Sequence, residues 1–232
     1  MIIVAADTST QTGSVALKVK GERVIERSLP EGRPHSETLL KSIDALLSGA
    51  GVNRVDVTAL AVGVGPGAFT GLRVGLSTFK GWAAASGLKL APIPSLDAVS
   101  HPLLVQGRSV LVCSDARKGE LYAAFYPGLD GEGLPRREGE VALIKPSFLP
   151  EFCQERSVNE AEVVGSAVDL VRGILKELPA LKAADSSHSH PAASVVLALG
   201  ETYFLLGRGV DPRDLVPFYV RPPDVADPTR VS

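Results

Sequence analysis

Short apolar runs alternate with polar or glycine-rich turns along the first hundred residues, a pattern that predicts a layered α/β unit. Residues 2–6 are apolar, the stretch 7–13 is rich in hydroxyl groups, and apolar and polar side chains alternate from 14 to 19. This arrangement predicts a β-hairpin with a polar turn. Three more strands are predicted, at 24–28, 57–64 and 90–93. The nearly all-apolar run at 57–64 is typical of a strand covered on both faces.

From residue 36 the spacing of apolar side chains changes to that of a helix. Five of them fall within an arc of roughly 120°, which predicts an amphipathic helix over 36–47. They are Leu39, Leu40, Ile43, Leu46 and Leu47. Gly49 and Gly51 follow, and we expect them to end the helix.

A glycine-rich turn, Gly-Pro-Gly-Ala-Phe-Thr-Gly at 65–71, leads into a second helix that runs to about residue 85. Pro66 and Gly67 suit the central positions of a type II turn, because glycine tolerates the positive φ required there. Thr70 is predicted to cap the helix, whose free N–H groups could hold an anion. The turn lacks the Gly-Lys-Ser/Thr of a P-loop, so a plain connection and a partner contact both stay open.

The second helix has two distinct faces. Leu72, Leu76, Phe79 and Ala83 form an apolar face that belongs on the protein's own sheet. The other face is mostly small and carries Gly71, Gly75, Thr78, Trp82 and Ala85. An interior glycine costs a helix about 1 kcal/mol relative to alanine, so we expect another helix to approach closely here. That helix is either 36–47 of the same chain or one from a partner, for which Trp82 would be an anchor.

Residues 110–126 repeat the opening pattern, with an apolar strand that ends at Asp115, a turn at 116–119 and a further strand. The repeat predicts two lobes, 1–105 and 106–232, whose hairpins each point an aspartate-bearing turn at a shared cleft. The last helix or the tail is expected to pack back on the first lobe. The remaining elements are predicted as a helix from Ser95 to Val99, a loop at 128–139, strands at 141–144 and 162–165, helices at 146–156 and 167–178, a linker at 186–191, and a last helix with Val195, Val196, Leu199, Tyr203 and Leu206 on one stripe.

Composition excludes several classes of protein. Lysine and arginine total 24 against 26 aspartate and glutamate, so the chain lacks the basic excess of a dedicated nucleic-acid binder. Cys113 and Cys153 are too few for a disulfide scaffold or a zinc site, which indicates a cytoplasmic protein. No apolar stretch approaches the roughly 20 residues of a membrane helix. The sequence also lacks a His-x-x-x-His pair and the Gly-x-Ser-x-Gly of a serine hydrolase.

The two hairpin turns carry the residues with the most evident chemistry. Asp7 and Asp115 could organise Mg²⁺ or water across the cleft, with hydroxyl groups from Thr8 and Ser9 for a phosphate. Arg117 could contact an anion. Against this, aspartate in a turn often bonds only its own backbone, and an arginine in a turn is often solvated.

Four segments together resemble one family, the bacterial TsaB (YeaZ) group of tRNA threonylcarbamoyladenosine biosynthesis proteins. They are residues 7–17, 65–75, 114–122 and 217–221. The string Gly-Pro-Gly-Ala-Phe-Thr-Gly-Leu-Arg at 65–73 is the specific part, and between 128 and 191 only the general layout matches. The resemblance implies a two-lobed α/β fold of the actin/Hsp70/sugar-kinase type, each lobe opening with a β-hairpin.

The resemblance also implies a role. Family members are non-catalytic subunits that bind and activate a metal-dependent transferase paralogue, which places a threonylcarbamoyl group on the adenosine beside the anticodon of ANN-decoding tRNAs. A small ATPase joins the complex, tRNA contact is indirect, and a homodimer is expected when the partner is absent. No catalytic or metal-binding residue and no required cofactor is expected, although weak or interface-dependent ATP/ADP binding is.

Carried onto this sequence, the partner interface falls on the first two helices, and the cleft-facing residues fall on the two hairpin turns. The interface residues are Ser36, Leu39, Leu40, Ile43, Leu47, Gly71, Gly75, Thr78 and Trp82. The nucleotide-facing residues are Asp7, Thr8, Ser9, Asp115 and Arg117. Two alternatives stay open, namely a nucleotide-binding ATPase of the same fold and, with no nucleophile–base pair to support it, a peptidase.

Overall fold

The first lobe is built on a five-stranded mixed sheet. The computed structural model describes residues 1–19, 23–185 and 188–221. Its first five strands are β1 (Ile3–Asp7), β2 (Ser14–Lys18), β3 (Val24–Ser28), β4 (Ala59–Gly65) and β5 (Leu90–Pro94). The strand order is β3-β2-β1-β4-β5, in which β1, β2 and β3 are antiparallel and β4 and β5 run parallel to β1.

The second sheet repeats this topology. Its strands are β6 (Val110–Arg117), β7 (Glu120–Leu129), β8 (Pro135–Ile144), β9 (Ala161–Val164) and β10 (Leu181–Ala183). Their order is β10-β9-β6-β7-β8, again with three antiparallel strands from a hairpin followed by two parallel ones. A glycine with a strongly positive φ lies at the end of the matching parallel strand in each sheet. Gly65, with a φ of 104°, is the last residue of β4, and Gly165, with a φ of 108°, directly follows β9. The predicted two-lobed fold class, with a hairpin opening each lobe, is confirmed.

Helices cover both faces of the first sheet. The helices are α1 (His35–Gly49), α2 (Phe69–Ser86), α3 (Ser95–Leu104), α4 (Leu149–Glu155), α5 (Val168–Leu175) and α6 (Ala193–Leu205). Val4 and Ala6 of β1 point into a core shared with α1 and α2, whereas Ile3 and Ala5 point into a core shared with α6. This is the alternation of side chains expected of a strand that is buried on both faces.

Helix α6 packs on the first sheet although it follows the strands of the second. A Cβ atom added at Gly200 would lie 2.5 Å from the Cβ of Ala61 on β4. Only glycine at this position therefore lets the helix come so close to the sheet. Helix α3 lies between the lobes, where Leu96, Val99 and Leu103 join the core of the second sheet. The boundary at 105/106 stays a prediction.

Some local predictions are wrong. The polar loop expected at 128–139 contains the end of β7 and the start of β8. β8 is an edge strand whose first half is largely exposed, so it lacks the apolar alternation that marks a strand. Strand β10 was not expected at all, and residues 186 and 187 of the predicted linker lie outside the described residues.

The glycine-rich turn also differs from its prediction. The positive φ belongs to Gly65 rather than to Gly67, so no type II turn forms on Pro66 and Gly67. Ala68 occupies the N-cap position of α2 and no side chain caps that end, because Thr70 already lies inside the helix. Ser95 is likewise the first residue of α3 rather than its cap.

Candidate functional site

A cavity of about 630 Å³ lies between the two lobes. Both hairpin turns reach it, together with the glycine-rich turn and the chain that follows α6. The residues that line it include Ser9, Thr10, Gly67, Phe69, Ser114, Asp115, Arg117, Lys118, Tyr122, Ser166, His190, Tyr219 and Arg221. Three of the five predicted cleft residues therefore lie at the cavity, namely Ser9, Asp115 and Arg117.

Asp7 does not face the cavity but forms a buried junction of hydrogen bonds. Its side chain is 1% exposed, and its Oδ1 accepts from the backbone N–H of Ser9 at 2.7 Å and from the Ser9 hydroxyl at 2.6 Å. The Ser95 hydroxyl donates to Oδ2 at 2.7 Å and accepts from the N–H of Gly65 at 3.1 Å. Asp7 therefore lies behind the cavity lining, where its carboxyl connects β1 to β4 and α3.

Burial has a clear electrostatic consequence at this junction. Desolvation raises the pKa of Asp7, although the hydrogen bonds from Ser9 and Ser95 work in the opposite direction. Gly63 on β4 leaves the space that the carboxyl occupies, since a Cβ there would lie 1.9 Å from Asp7 Oδ2. Gly63 and Ser95 could not be identified as partners of Asp7 from local sequence patterns, because they lie far along the chain.

Thr8 is also turned away from the cavity, toward α2. It is 1% exposed, and its hydroxyl donates to the carbonyl oxygen of Gly71 at 2.8 Å. A Cβ added at Gly71 would lie 2.1 Å from Thr8 O, and one added at Gly75 would lie 2.4 Å from Thr8 Oγ1. The two glycines therefore let the first hairpin turn pack on α2. Their contact with a partner stays a prediction.

Most of the interface predicted on α1 is core. Leu39 and Ile43 are each 1% exposed and Leu47 is 3% exposed, because this stripe packs with α2 on the first sheet. These three residues are unavailable to a partner. Ser36 is exposed, and Leu40 exposes 50% of its surface.

One face of α2 is left uncovered, and we refer to it as the outer α2 face. It comprises Val74, Ser77, Thr78, Gly81, Trp82 and Ala85. Thr78 and Trp82 are half-buried, with the Trp82 ring 6.3 Å from that of Phe79. A Cβ added at Gly81 would meet nothing within 4 Å. Of the glycines inside α2, Gly81 is thus the one that faces open space, whereas Gly71 and Gly75 pack against Thr8.

Asp115 occupies the position in the second lobe that Asp7 holds in the first, but it remains accessible. Its side chain is 33% exposed, its Oδ1 accepts from the N–H of Arg117 at 2.7 Å, and its Oδ2 lies 3.5 Å from the Arg117 guanidinium. The Ser166 hydroxyl accepts from the backbone N–H of Asp115 at 3.0 Å and lies 3.2 Å from the Ser114 hydroxyl. Arg117 itself has a φ of 63°, which is rare outside glycine.

The fold type implies a magnesium nucleotide, but Asp7 and Asp115 are not placed to hold a magnesium ion together, and nucleotide binding stays a prediction. Both oxygens of Asp7 are buried and accept hydrogen bonds within the chain, and those of Asp115 face Arg117. Over residues 1–19, 23–185 and 188–221, no group of three histidine, cysteine, aspartate or glutamate side chains is placed to hold a metal ion. Within the same ranges, none of the helices combines the length and the apolar character needed to cross a bilayer.

Two lobes of one topology around a cleft define the actin/Hsp70/sugar-kinase class of fold. The structure titled "YeaZ from Pseudomonas aeruginosa" superposes with a TM-score of 0.76 at 29% identity, over 94% of this chain and 99% of that one. A family model described as "TsaD: tRNA N6-adenosine threonylcarbamoyltransferase" matches residues 29–133.

Two full-length relatives identify the family. The chain is 31% identical to the tRNA threonylcarbamoyladenosine biosynthesis protein TsaB of Escherichia coli strain K12, over 95% of each chain. It is 30% identical to the Haemophilus influenzae protein of the same name, over 95% of this chain and 94% of the relative. The chain belongs to the TsaB family of tRNA threonylcarbamoyladenosine biosynthesis proteins.

Proposed function

We propose that this chain is a non-catalytic subunit in tRNA threonylcarbamoyladenosine biosynthesis, and that it acts by binding a TsaD-like transferase through the outer α2 face. The observation that carries the proposal is the contrast between the aspartates and this face. The carboxyl oxygens of Asp7 are occupied by hydrogen bonds inside the chain, whereas Gly81 is exposed and Thr78 and Trp82 are only half-buried.

The chemistry of the outer α2 face suits the approach of another helix. Gly81 has no side chain and open space above it, so a second backbone can come close. Trp82 lies beside it and supplies a large, half-buried ring, the kind of residue that contributes most binding energy when a partner covers it. Leu40 on α1 adds a further exposed apolar group.

The charge of the chain agrees with indirect contact to tRNA. A net charge of −2 gives little of the counterion release that drives direct binding to phosphates. The transferase would then supply the tRNA-binding surface, with a small ATPase as the third component. No cofactor is required of this chain in the proposal, and without the transferase the outer α2 face would pair with its own copy in a symmetric dimer.

The test uses two glycines in matched settings. Gly81→Leu places a bulky side chain on the outer α2 face, and Gly173→Leu places the same side chain on α5, where a Cβ also meets nothing within 4 Å. Both variants are expected to fold, because leucine is a better helix former than glycine. We expect Gly81→Leu to weaken binding to the cognate transferase by about tenfold or more and to reduce tRNA modification in the reconstituted system.

Gly173→Leu is expected to bind and to support modification as the wild type does. Equal affinity of the Gly81→Leu variant and the wild type would contradict the proposed interface. The nucleotide-binding alternative is tested by calorimetry of the isolated chain with MgATP. Tight binding that is lost in the Asp7→Asn variant would replace the proposal with an enzymatic role.

A further inference from the structure

The chain crosses between the lobes more often than its two sheets require. It passes to the second lobe after α3 and returns to the first before α6. Beyond α6, residues 215–221 leave the first lobe again and end on the second. We call residues 215–221 the C-terminal strap.

The strap is attached to the first lobe at its start. Leu215 is buried in the core of that lobe, and its carbonyl oxygen accepts a hydrogen bond from Lys80 Nζ on α2 at 2.8 Å. The N–H of Phe218 donates to the carbonyl oxygen of Val64 on β4 at 2.8 Å, and Gly65 leaves room for the strap backbone. The first half of the strap therefore moves with the first lobe.

The end of the strap is attached to the second lobe. Arg221 donates to the carbonyl oxygen of Ala116 at 3.1 Å and pairs with the carboxylate of Glu120, so that it holds both sides of the second hairpin turn. Val220 packs into the core of the second lobe. Phe218 contacts the cores of both lobes, which makes it the crossing point.

Between these attachments the strap forms one side of the interlobe cavity. Tyr219 and Arg221 line the cavity directly. The Tyr219 ring lies 5.3 Å from that of Phe69, and Arg73 lies over Phe69 at 3.8 Å while its Nε is 3.4 Å from the Tyr219 hydroxyl. Any change in the angle between the lobes would have to break contacts at one end of the strap.

We propose that the C-terminal strap is an interlobe lock, which holds the cleft at a single width and keeps the two lobes from hinging. The lock is independent of the proposed partner, since all of its contacts lie within one chain.

The lock is tested by measuring an interlobe distance in the full chain. Nitroxide labels are placed at Lys41→Cys on α1 and Glu151→Cys on α4, both exposed, while Cys113 and Cys153 are buried. Double electron–electron resonance then reports the distribution of distances between the lobes. The wild-type strap is expected to give one narrow distribution.

Two variants release the strap, one at each end, and one control leaves it attached. Arg221→Ala removes the contacts to the second lobe, and Lys80→Ala removes the bond to Leu215. Arg213→Ala alters an arginine just before the strap whose side chain is 88% exposed and pairs with Asp211.

We expect Arg221→Ala to widen the distance distribution by about twofold, Lys80→Ala to widen it less, and Arg213→Ala to leave it unchanged. Circular dichroism checks that each variant is folded. A distribution that stays narrow in both Arg221→Ala and Lys80→Ala would overturn the lock. So would a distribution that widens as much in Arg213→Ala.

Discussion

The two hairpin turns occupy the same place in two sheets of the same topology, yet they differ in what covers them. Asp7 and Asp115 each accept a hydrogen bond of 2.7 Å from the N–H two residues further on, so the two turns begin with the same local hydrogen bond. Around Asp7 the chain adds Gly63, Gly71 and Ser95, whereas Asp115 keeps a third of its surface exposed.

This difference shows how one element of a duplicated fold can change its use. In the second lobe the turn still faces the cavity. In the first lobe it supports α2, since the Thr8 hydroxyl bonds to Gly71 and the glycines of α2 pack against Thr8. Ser9 and Thr10 of this turn still line the cavity, while Thr8 fixes the helix that carries the outer α2 face.

The largest expected effect comes from filling the space between α2 and the first turn. Gly71→Ala brings a Cβ within 2.1 Å of Thr8 O, and backbone cannot move aside cheaply. We expect a loss of about 1–3 kcal/mol in the free energy of unfolding, although alanine is the better helix former. Urea denaturation measures it.

The matched control is Gly81→Ala, where the added methyl group meets open space. It should raise the free energy of unfolding, by up to about 1 kcal/mol. If both variants shifted stability in the same direction, the packing of the first turn on α2 would not be what Gly71 provides.

The next largest effect on stability compares the serine that bonds to each turn, Ser95 at the first and Ser166 at the second. Ser95→Ala removes the donor to Asp7 Oδ2 and the acceptor for the N–H of Gly65, both buried, and should cost about 1–3 kcal/mol. Ser166→Ala removes one bond to the part-buried N–H of Asp115 and should cost about 1 kcal/mol or less. Thermal unfolding of the two variants, measured side by side, would show equal losses if the turns were equally sealed.

A third effect concerns pH and follows from the raised pKa of Asp7. Because the folded-state pKa lies above the ordinary value of 3.8, the carboxyl contributes most to stability at low pH. That contribution falls as pH rises through the folded-state pKa. The Asp7→Asn variant should therefore gain stability relative to wild type as pH rises from about 4 upward.

The control for this pH effect is Gly81→Ala, which leaves every ionisable group in place and meets open space, so that its stability difference from wild type should not change with pH. Asp97, whose pKa burial raises to about 6, is present in every variant and cancels from the differences. A flat difference between Asp7→Asn and wild type across this range would contradict the buried junction.

The smallest effect on stability is expected at the second hairpin turn, whose side chains are the more exposed. Arg117→Ala removes an ion pair with Asp115 in which the arginine side chain is 59% exposed, and such pairs contribute little. The free energy of unfolding should change by less than about 0.5 kcal/mol. A loss several times larger, measured by urea denaturation, would mean that the second turn is as structural as the first.

The sequence predicted the repeated hairpins and most strands of the first lobe, because apolar periodicity and turn residues are local signals. It predicted the apolar face of α2 correctly, since Leu72, Leu76 and Phe79 are buried. It did not show that Gly71 is internal as well, because that depends on a contact with Thr8 across 63 residues. The same limit hid Ser95 as a partner of Asp7. Edge strand β8 was missed because its exposed polar residues do not alternate with apolar ones.

Hydrogen–deuterium exchange of the chain, free and bound to the cognate transferase, tests most directly which surface meets the partner. The account predicts slower exchange on binding in peptides from 74–85, with no change at 114–119. Slower exchange at 114–119 and none at 74–85 would place the partner in the cleft and contradict the account.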